Sequence, residues 1–88
     1  MGKVAVTFKL MPVSVDTDLN AIKDSVKKSV ARHKEMQLKI MEEKPVAFGL
    51  KSLDILIILP DVSISELEDE LTKITGVASV EAGDVTLI

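Results

Sequence analysis

A chain of 88 residues with 47% hydrophobic and 28% charged side chains has the composition of a folded globule, too apolar to stay disordered. At this length folding removes only about 60% of the unfolded chain's surface from water, so residues 1–88 are read as a single domain with one core. The lack of cysteine excludes a disulfide framework, a thiolate metal site and a cysteine nucleophile, and a formal charge of -3 with only two aromatics, Phe8 and Phe48, argues against nucleic-acid binding, which draws on clustered cations and stacking rings.

The opening stretch alternates polar and apolar residues and has no continuous apolar core of the signal-peptide kind, while the longest apolar run, residues 55–60, is far too short for a membrane span. A cytoplasmic protein with no membrane association is expected. Val4, Val6, Phe8 and Leu10 alternate with Lys3, Ala5, Thr7 and Lys9, which predicts a strand with one buried face, stopped at Met11-Pro12. Asp16 and Thr17 are the candidate caps of a helix over about residues 18–32, whose apolar positions Leu19, Ile22, Val26 and Val30 recur every three or four residues.

Met36, Leu38 and Ile40 alternate with Gln37, Lys39 and Met41 and predict a second strand, ended by Glu42, Glu43, Lys44 and Pro45; such a boundary suits a sheet edge. Residues 50–59 are the most apolar segment, with Leu53, Ile55, Ile57 and Leu59 on one face and Ser52, Asp54, Leu56 and Ile58 on the other, as in a central strand. Ser63 and Glu66 are spaced as a capping box, with Val62 and Leu67 as a hydrophobic staple, at the start of a helix whose stripe is Ile64, Leu67, Leu71 and Ile74. Gly76 sits where a left-handed helix terminator is wanted, and residues 77–82 and 85–88 supply a last strand bent at Gly83. The order strand, helix, strand, strand, helix, strand gives the α+β class: a ferredoxin-like β-α-β-β-α-β sandwich, with two helices on one face of a four-stranded antiparallel sheet.

Residues for covalent chemistry are scarce. The lone histidine, His33, ends the first helix, where it reads as a solvated or C-capping imidazole, and no metal site is expected. Ser14, Ser63, Ser65 and Ser79 have no histidine companion, the four glycines are isolated, and the single arginine, Arg32, lies at a helix end. The acidic runs Glu42-Glu43 and Glu66-Glu68-Asp69-Glu70 read as solvated faces. No enzyme activity and no cofactor are expected.

The segment that stands out is residues 44–51, Lys-Pro-Val-Ala-Phe-Gly-Leu-Lys, between strands two and three. A hairpin loop is ordinarily built from polar turn residues, so Phe48 beside Gly49, between Pro45 and Lys51, is either folded into the core or an exposed anchor of the kind that dominates protein interfaces. The residues alone leave both readings open.

This stretch, followed by Leu53-Asp54-Ile55, resembles the Pro-Ile-Gly/Ala-Phe-Gly-Ile/Leu-Lys signature of the translation elongation factor 1-beta family, and weaker matches at Met11-Pro12, Thr17-Asp18-Leu19, Val62-Ser63-Ile64 and Asp84-Val85 extend it along the chain. A free-standing domain of this size is similar to the archaeal branch. The resemblance implies a guanine-nucleotide exchange factor for the GTPase that carries aminoacyl-tRNA, elongation factor 1-alpha, acting through protein contact alone; a monomer is expected when the chain is free. Phe48 would be the inserted aromatic, with Pro45, Gly49 and Lys51 shaping its loop. One departure is visible: eukaryotic relatives carry a magnesium-displacing lysine just before the C-terminal residue, whereas this chain ends Gly83-Asp84-Val85-Thr86-Leu87-Ile88. Either Lys51 or Lys9 takes that role or switch distortion alone suffices. The competing readings are a stand-alone regulatory module of the same fold that binds a small ligand, and a ribosome-associated protein, whose RNA binding the acidic charge disfavours.

Overall fold

The computed structural model describes residues 2–87, Ala47 by its backbone alone. Its elements are β1 (Lys3–Pro12), α1 (Leu19–Ala31), β2 (Gln37–Pro45), β3 (Lys51–Pro60), α2 (Ile64–Thr72) and β4 (Val77–Leu87), with a tight turn at Ala47–Gly49 and a 3-10 turn at Asp61–Ser63. The strands form one antiparallel sheet in the order β2-β3-β1-β4. This is the ferredoxin-like arrangement expected, with β2 at an edge and β3 at the centre.

The sheet is organised by its two central strands. Val4, Val6, Phe8 and Leu10 lie opposite Leu59, Ile57, Ile55 and Leu53, and all eight side chains are 2% exposed or less. Alternation puts every one of them on the same face, which Ile22, Val26 and Val30 of α1 and Leu67 and Leu71 of α2 cover to complete the core. Full burial of a side chain of this size contributes about 1.5–3 kcal/mol. On the uncovered face Thr7, Leu56 and Ile58 are only half-buried.

Three local expectations are corrected. The cap of α1 is Asp18 rather than Asp16 or Thr17: its Oδ1 accepts the Asn20 amide at 3.0 Å, while the Thr17 hydroxyl accepts the Ser14 amide at 3.1 Å in the turn before it. The capping box of α2 does not form. Asp61–Ser63 already winds as a 3-10 turn, the Ser63 side chain is buried without a capping hydrogen bond, and Val62 is 87% exposed, so it staples nothing.

The third correction concerns β2. Leu38 pairs with Ile57 but Ile40 pairs with Leu56, so Lys39 is an extra residue and the strand is bulged. The bulge reverses which residues face inward: Met41, opposite Ile55, packs on the core, while Ile40 turns outward at 47% exposed. Alternation continues as expected only as far as Leu38, and the strand itself runs on through the charged residues to Pro45.

The bend at Gly83 is likewise a bulge, because Val6 pairs with Val85 and Phe8 with Ala82, leaving Gly83 and Asp84 opposite Thr7 alone. A Cβ on Gly83 would stand 3.2 Å from the Thr7 carbonyl oxygen. Ile88, expected at the end of this strand, lies outside the described residues.

Gly76 has φ +95° and its carbonyl accepts the Val13 amide at 3.0 Å, tying the turn after α2 to the end of β1. A Cβ there would meet Thr17 Cγ2 at 3.1 Å. Gly76→Ala is therefore expected to cost about 1–2 kcal/mol from the left-handed backbone alone, lowering the thermal midpoint by roughly 4–8 °C per kcal/mol in a domain of this size. A calorimetric scan of the variant checks it.

Candidate functional site

The β2–β3 connection is closed from both sides. Pro45 and Lys51 form the last rung of the ladder, and just beyond it the Val46 amide donates to the Leu50 carbonyl at 2.8 Å. One rung inward, Lys44 Nζ lies 3.5 Å from Asp54 Oδ2, and the buried Ser52 hydroxyl donates to Asp54 Oδ1 at 3.2 Å. Pro45 suits this place, since it has no amide to offer and sits at the end of an edge strand.

Only three residues are left to reverse the chain, and two of them adopt left-handed backbone: Phe48 at φ 62°, ψ 30° and Gly49 at φ 77°. For glycine this is unstrained. For phenylalanine it costs on the order of 1–2 kcal/mol, and Phe48 is the one non-glycine residue with positive φ among the described residues. The ring does not recover that cost by burial, being 94% exposed. The core reading of Phe48 is thereby excluded: the tip holds an aromatic ring out into solvent on a strained backbone, a combination that clusters at functional sites.

The neighbouring β1–α1 loop adds to the tip. A Cβ on Gly49 would lie 3.7 Å from Val15 Cγ1, and Val15 and Val13 are 60% and 64% exposed. Together with Phe48 they put three large exposed apolar side chains at one end of the sheet. Val13 and Val15 were not singled out in the sequence, although a Val-x-Val pair in a loop straight after a strand-ending proline is a signal that was there to be read. A depression between this loop and the hairpin is bordered by Thr17, Asp18, Glu43 and Lys51.

Glu43 is held by Lys23 of α1, whose ammonium donates to Glu43 Oε2. That hydrogen bond, with the charges of Lys23 and Lys51 assisting against partial desolvation, keeps the Glu43 carboxyl below its ordinary value of 4.5. Lys51 has no carboxylate within 4.0 Å among the described residues. It therefore stands beside Phe48 as an exposed, unpaired cation.

Lys9 is not at this tip; it sits within the sheet opposite Asp54. The C-terminal end of β4 is at the other end altogether, since Leu87 pairs with Val4, next to Lys3. About ten residues of strand at roughly 3.3 Å each separate the two ends, in a molecule 41 Å along its longest axis. Pro45, Phe48, Gly49 and Lys51 are thus brought together, while neither Lys51 nor Lys9 lies at the Leu87 end of β4. His33 is also corrected: it is half-buried, with Nε2 2.6 Å from Glu70 Oε2, so it joins the turn after α1 to α2 instead of facing solvent.

These features define a ferredoxin-like α+β domain whose distinctive surface is an exposed aromatic tip. Residues 5–88 match the family described as the EF-1 guanine nucleotide exchange domain, and the chain belongs to that family. Relatives named Elongation factor 1-beta include one from Methanosarcina barkeri, 39% identical over 97% of both chains. Another, from Methanobrevibacter smithii, is 38% identical over 96% of this chain and 94% of its own, and one from Archaeoglobus fulgidus is 32% identical over the whole of both. Among solved structures, the ACT domain from a GTP pyrophosphokinase of Chlorobium tepidum has a TM-score of 0.64 at 14% identity, covering 94% of this chain and 100% of that one. The C-terminal domain of MgtC from Mycobacterium tuberculosis has a TM-score of 0.66 at 10% identity, covering 93% and 86%. At such identities these two share the fold alone. No helix among the described residues is long and apolar enough to cross a membrane.

Two outcomes test the tip. Phe48→Gly removes the strain and should raise stability by about 1 kcal/mol, read as a higher denaturation midpoint at unchanged m-value. For Glu43, a folded-state value below the ordinary one means that the Lys23 contact stabilises the fold above that pH and is lost as the pH falls through the folded value. Following the Glu43 carboxyl by NMR should show titration below 4.5 in the native chain, returning toward 4.5 in Lys23→Ala.

Proposed function

We propose that this chain is a guanine-nucleotide exchange factor for elongation factor 1-alpha, speeding GDP release and GTP rebinding during translation elongation, with Phe48 as the wedge. The observation that carries the reading is the Phe48 ring, 94% exposed on a left-handed backbone in a chain of the exchange-domain family. Such a ring is pre-positioned: the loop has already lost its freedom, so binding orders little more, and a rigid aromatic entering a pocket is the kind of contact that dominates interface energetics. Pro45 and Gly49 hold the loop, Val13 and Val15 widen the apolar contact, and Lys51 sets a positive charge at its rim.

Exchange of this kind needs no covalent step and no cofactor on the factor itself. The order of the GTPase switches depends on contacts with nucleotide and magnesium, and a partner that binds the nucleotide-free state more tightly than the GDP-bound state lowers nucleotide affinity by that difference. The whole of residues 1–88 serves as one exchange domain, monomeric when free, in the cytoplasm, touching neither nucleic acid nor membrane. The likeness to an ACT domain is one of fold alone and lends the small-ligand reading no separate support.

The test is release of a fluorescent GDP from the cognate GTPase under excess unlabelled nucleotide. Stoichiometric chain should accelerate release strongly. Phe48→Ala should reduce the acceleration by about thirtyfold, the equivalent of ~2 kcal/mol for a central anchor, with a thermal midpoint within a few degrees of the native chain's. No acceleration by the native chain defeats the proposal; full activity in Phe48→Ala defeats the role given to the ring.

A further inference from the structure

α2 carries an electrostatic imbalance that the exchange reading leaves unexplained. Its nine residues include Glu66, Glu68, Asp69 and Glu70 and no cation, and its last turn has no basic residue, Lys73 following only at the cap. Carboxylates in a last turn oppose the helix dipole, and Glu66 and Glu70, one turn apart, repel each other. Glu66 is not engaged as a cap, because the box with Ser63 is not made. It converges instead with Glu70 and with His33 from the turn after α1: one oxygen of each carboxylate and one imidazole nitrogen all lie within 4.8 Å of one another. No Lys or Arg approaches either carboxylate within 4.0 Å among the described residues. Lys28, Arg32 and Lys73 do border the cleft beside Glu70, between the helices.

We infer that His33, Glu66 and Glu70 form a divalent metal site that ties α2 to the end of α1. With the imidazole neutral, as a ligand must be, the two carboxylates give the trio two negative charges, which a dication neutralises. One nitrogen and two carboxylate oxygens suit Zn²⁺ or Co²⁺ rather than Ca²⁺ or Mg²⁺, which take all-oxygen shells. Ligand bonds of about 2.0–2.2 Å place tetrahedral ligand atoms roughly 3.4 Å apart. The present spread, 2.6 Å from His33 Nε2 to Glu70 Oε2 and no more than 4.8 Å within the group, brackets that spacing. Small side-chain rotations therefore assemble three ligands, and water completes the shell. The metal acts as a cross-link across the cleft between the helices, on the covered side of the sheet.

The experiment uses the full chain after chelator treatment, titrated with Zn²⁺ by calorimetry and by thermal melting, and with Co²⁺ by visible absorption. Expected are one bound ion per chain, a rise in thermal midpoint of about 4 °C or more at saturation, a tetrahedral Co²⁺ spectrum, and His33 ring NMR signals that follow the same binding curve. Glu66→Gln and His33→Gln should each weaken binding tenfold or more. Metal-free Glu66→Gln should melt within a few degrees of the metal-free native chain, since relief of repulsion from Glu70 offsets the loss of a first-turn carboxylate, so weakened binding is not a failure to fold. A native chain with no Zn²⁺-dependent shift overturns the proposal, as does a shift that persists undiminished in both variants. Nucleotide exchange measured in parallel on the metal-free chain keeps this outcome separate from that of the exchange reading.

Discussion

The structure depends on the pairing of β1 with β3. Because Val4, Val6, Phe8 and Leu10 meet Leu59, Ile57, Ile55 and Leu53 rung by rung, one alternation of side chains fixes which face of the sheet must be covered. A slip of one residue would turn the apolar row of a strand to water. Both helices are then obliged to lie on that face, and the remaining strands take the two outer places. Everything at the ends of the sheet, the Phe48 hairpin included, is held in position by this central ladder.

That ladder was the most legible part of the sequence, since strict alternation of large apolar residues suits a strand with one buried face and little else. What failed to show were the features decided by competition between near-equal local choices. At Ile40-Met41 two adjacent apolar residues permit either phase of β2, and only the bulge at Lys39 selects Met41 for the core. At Ser63 and Glu66 the capping-box spacing is present, but the 3-10 turn over Asp61–Ser63 delivers the chain to α2 in another geometry. At Asp18 the cap stood just past the expected Asp16 and Thr17, among several residues able to do the work. Each is a difference of about a kcal/mol, which spacing rules do not resolve.

The candidate site was legible in a different sense. The sequence marked Pro45, Phe48, Gly49 and Lys51 as unusual but left Phe48 open between core and surface, because an aromatic beside a glycine fits either. The backbone decides it: three residues close the hairpin, and Phe48 takes a left-handed conformation with its ring outside. The partnership of His33 with Glu70 spans 37 positions in the chain. Nothing local in the sequence announces such a contact; it exists only once the two helices share a face.

Both outer strands of the sheet are interrupted, β2 at Lys39 and β4 at Ala78 and again at Gly83 and Asp84. An uninterrupted outer strand offers a row of free amides and carbonyls on which a second chain can extend the sheet, the first step toward aggregation. Bulges twist the ladder and break its repeat. In a protein whose core strands are as apolar as these, such irregularities act as safeguards against extension of the sheet beyond four strands.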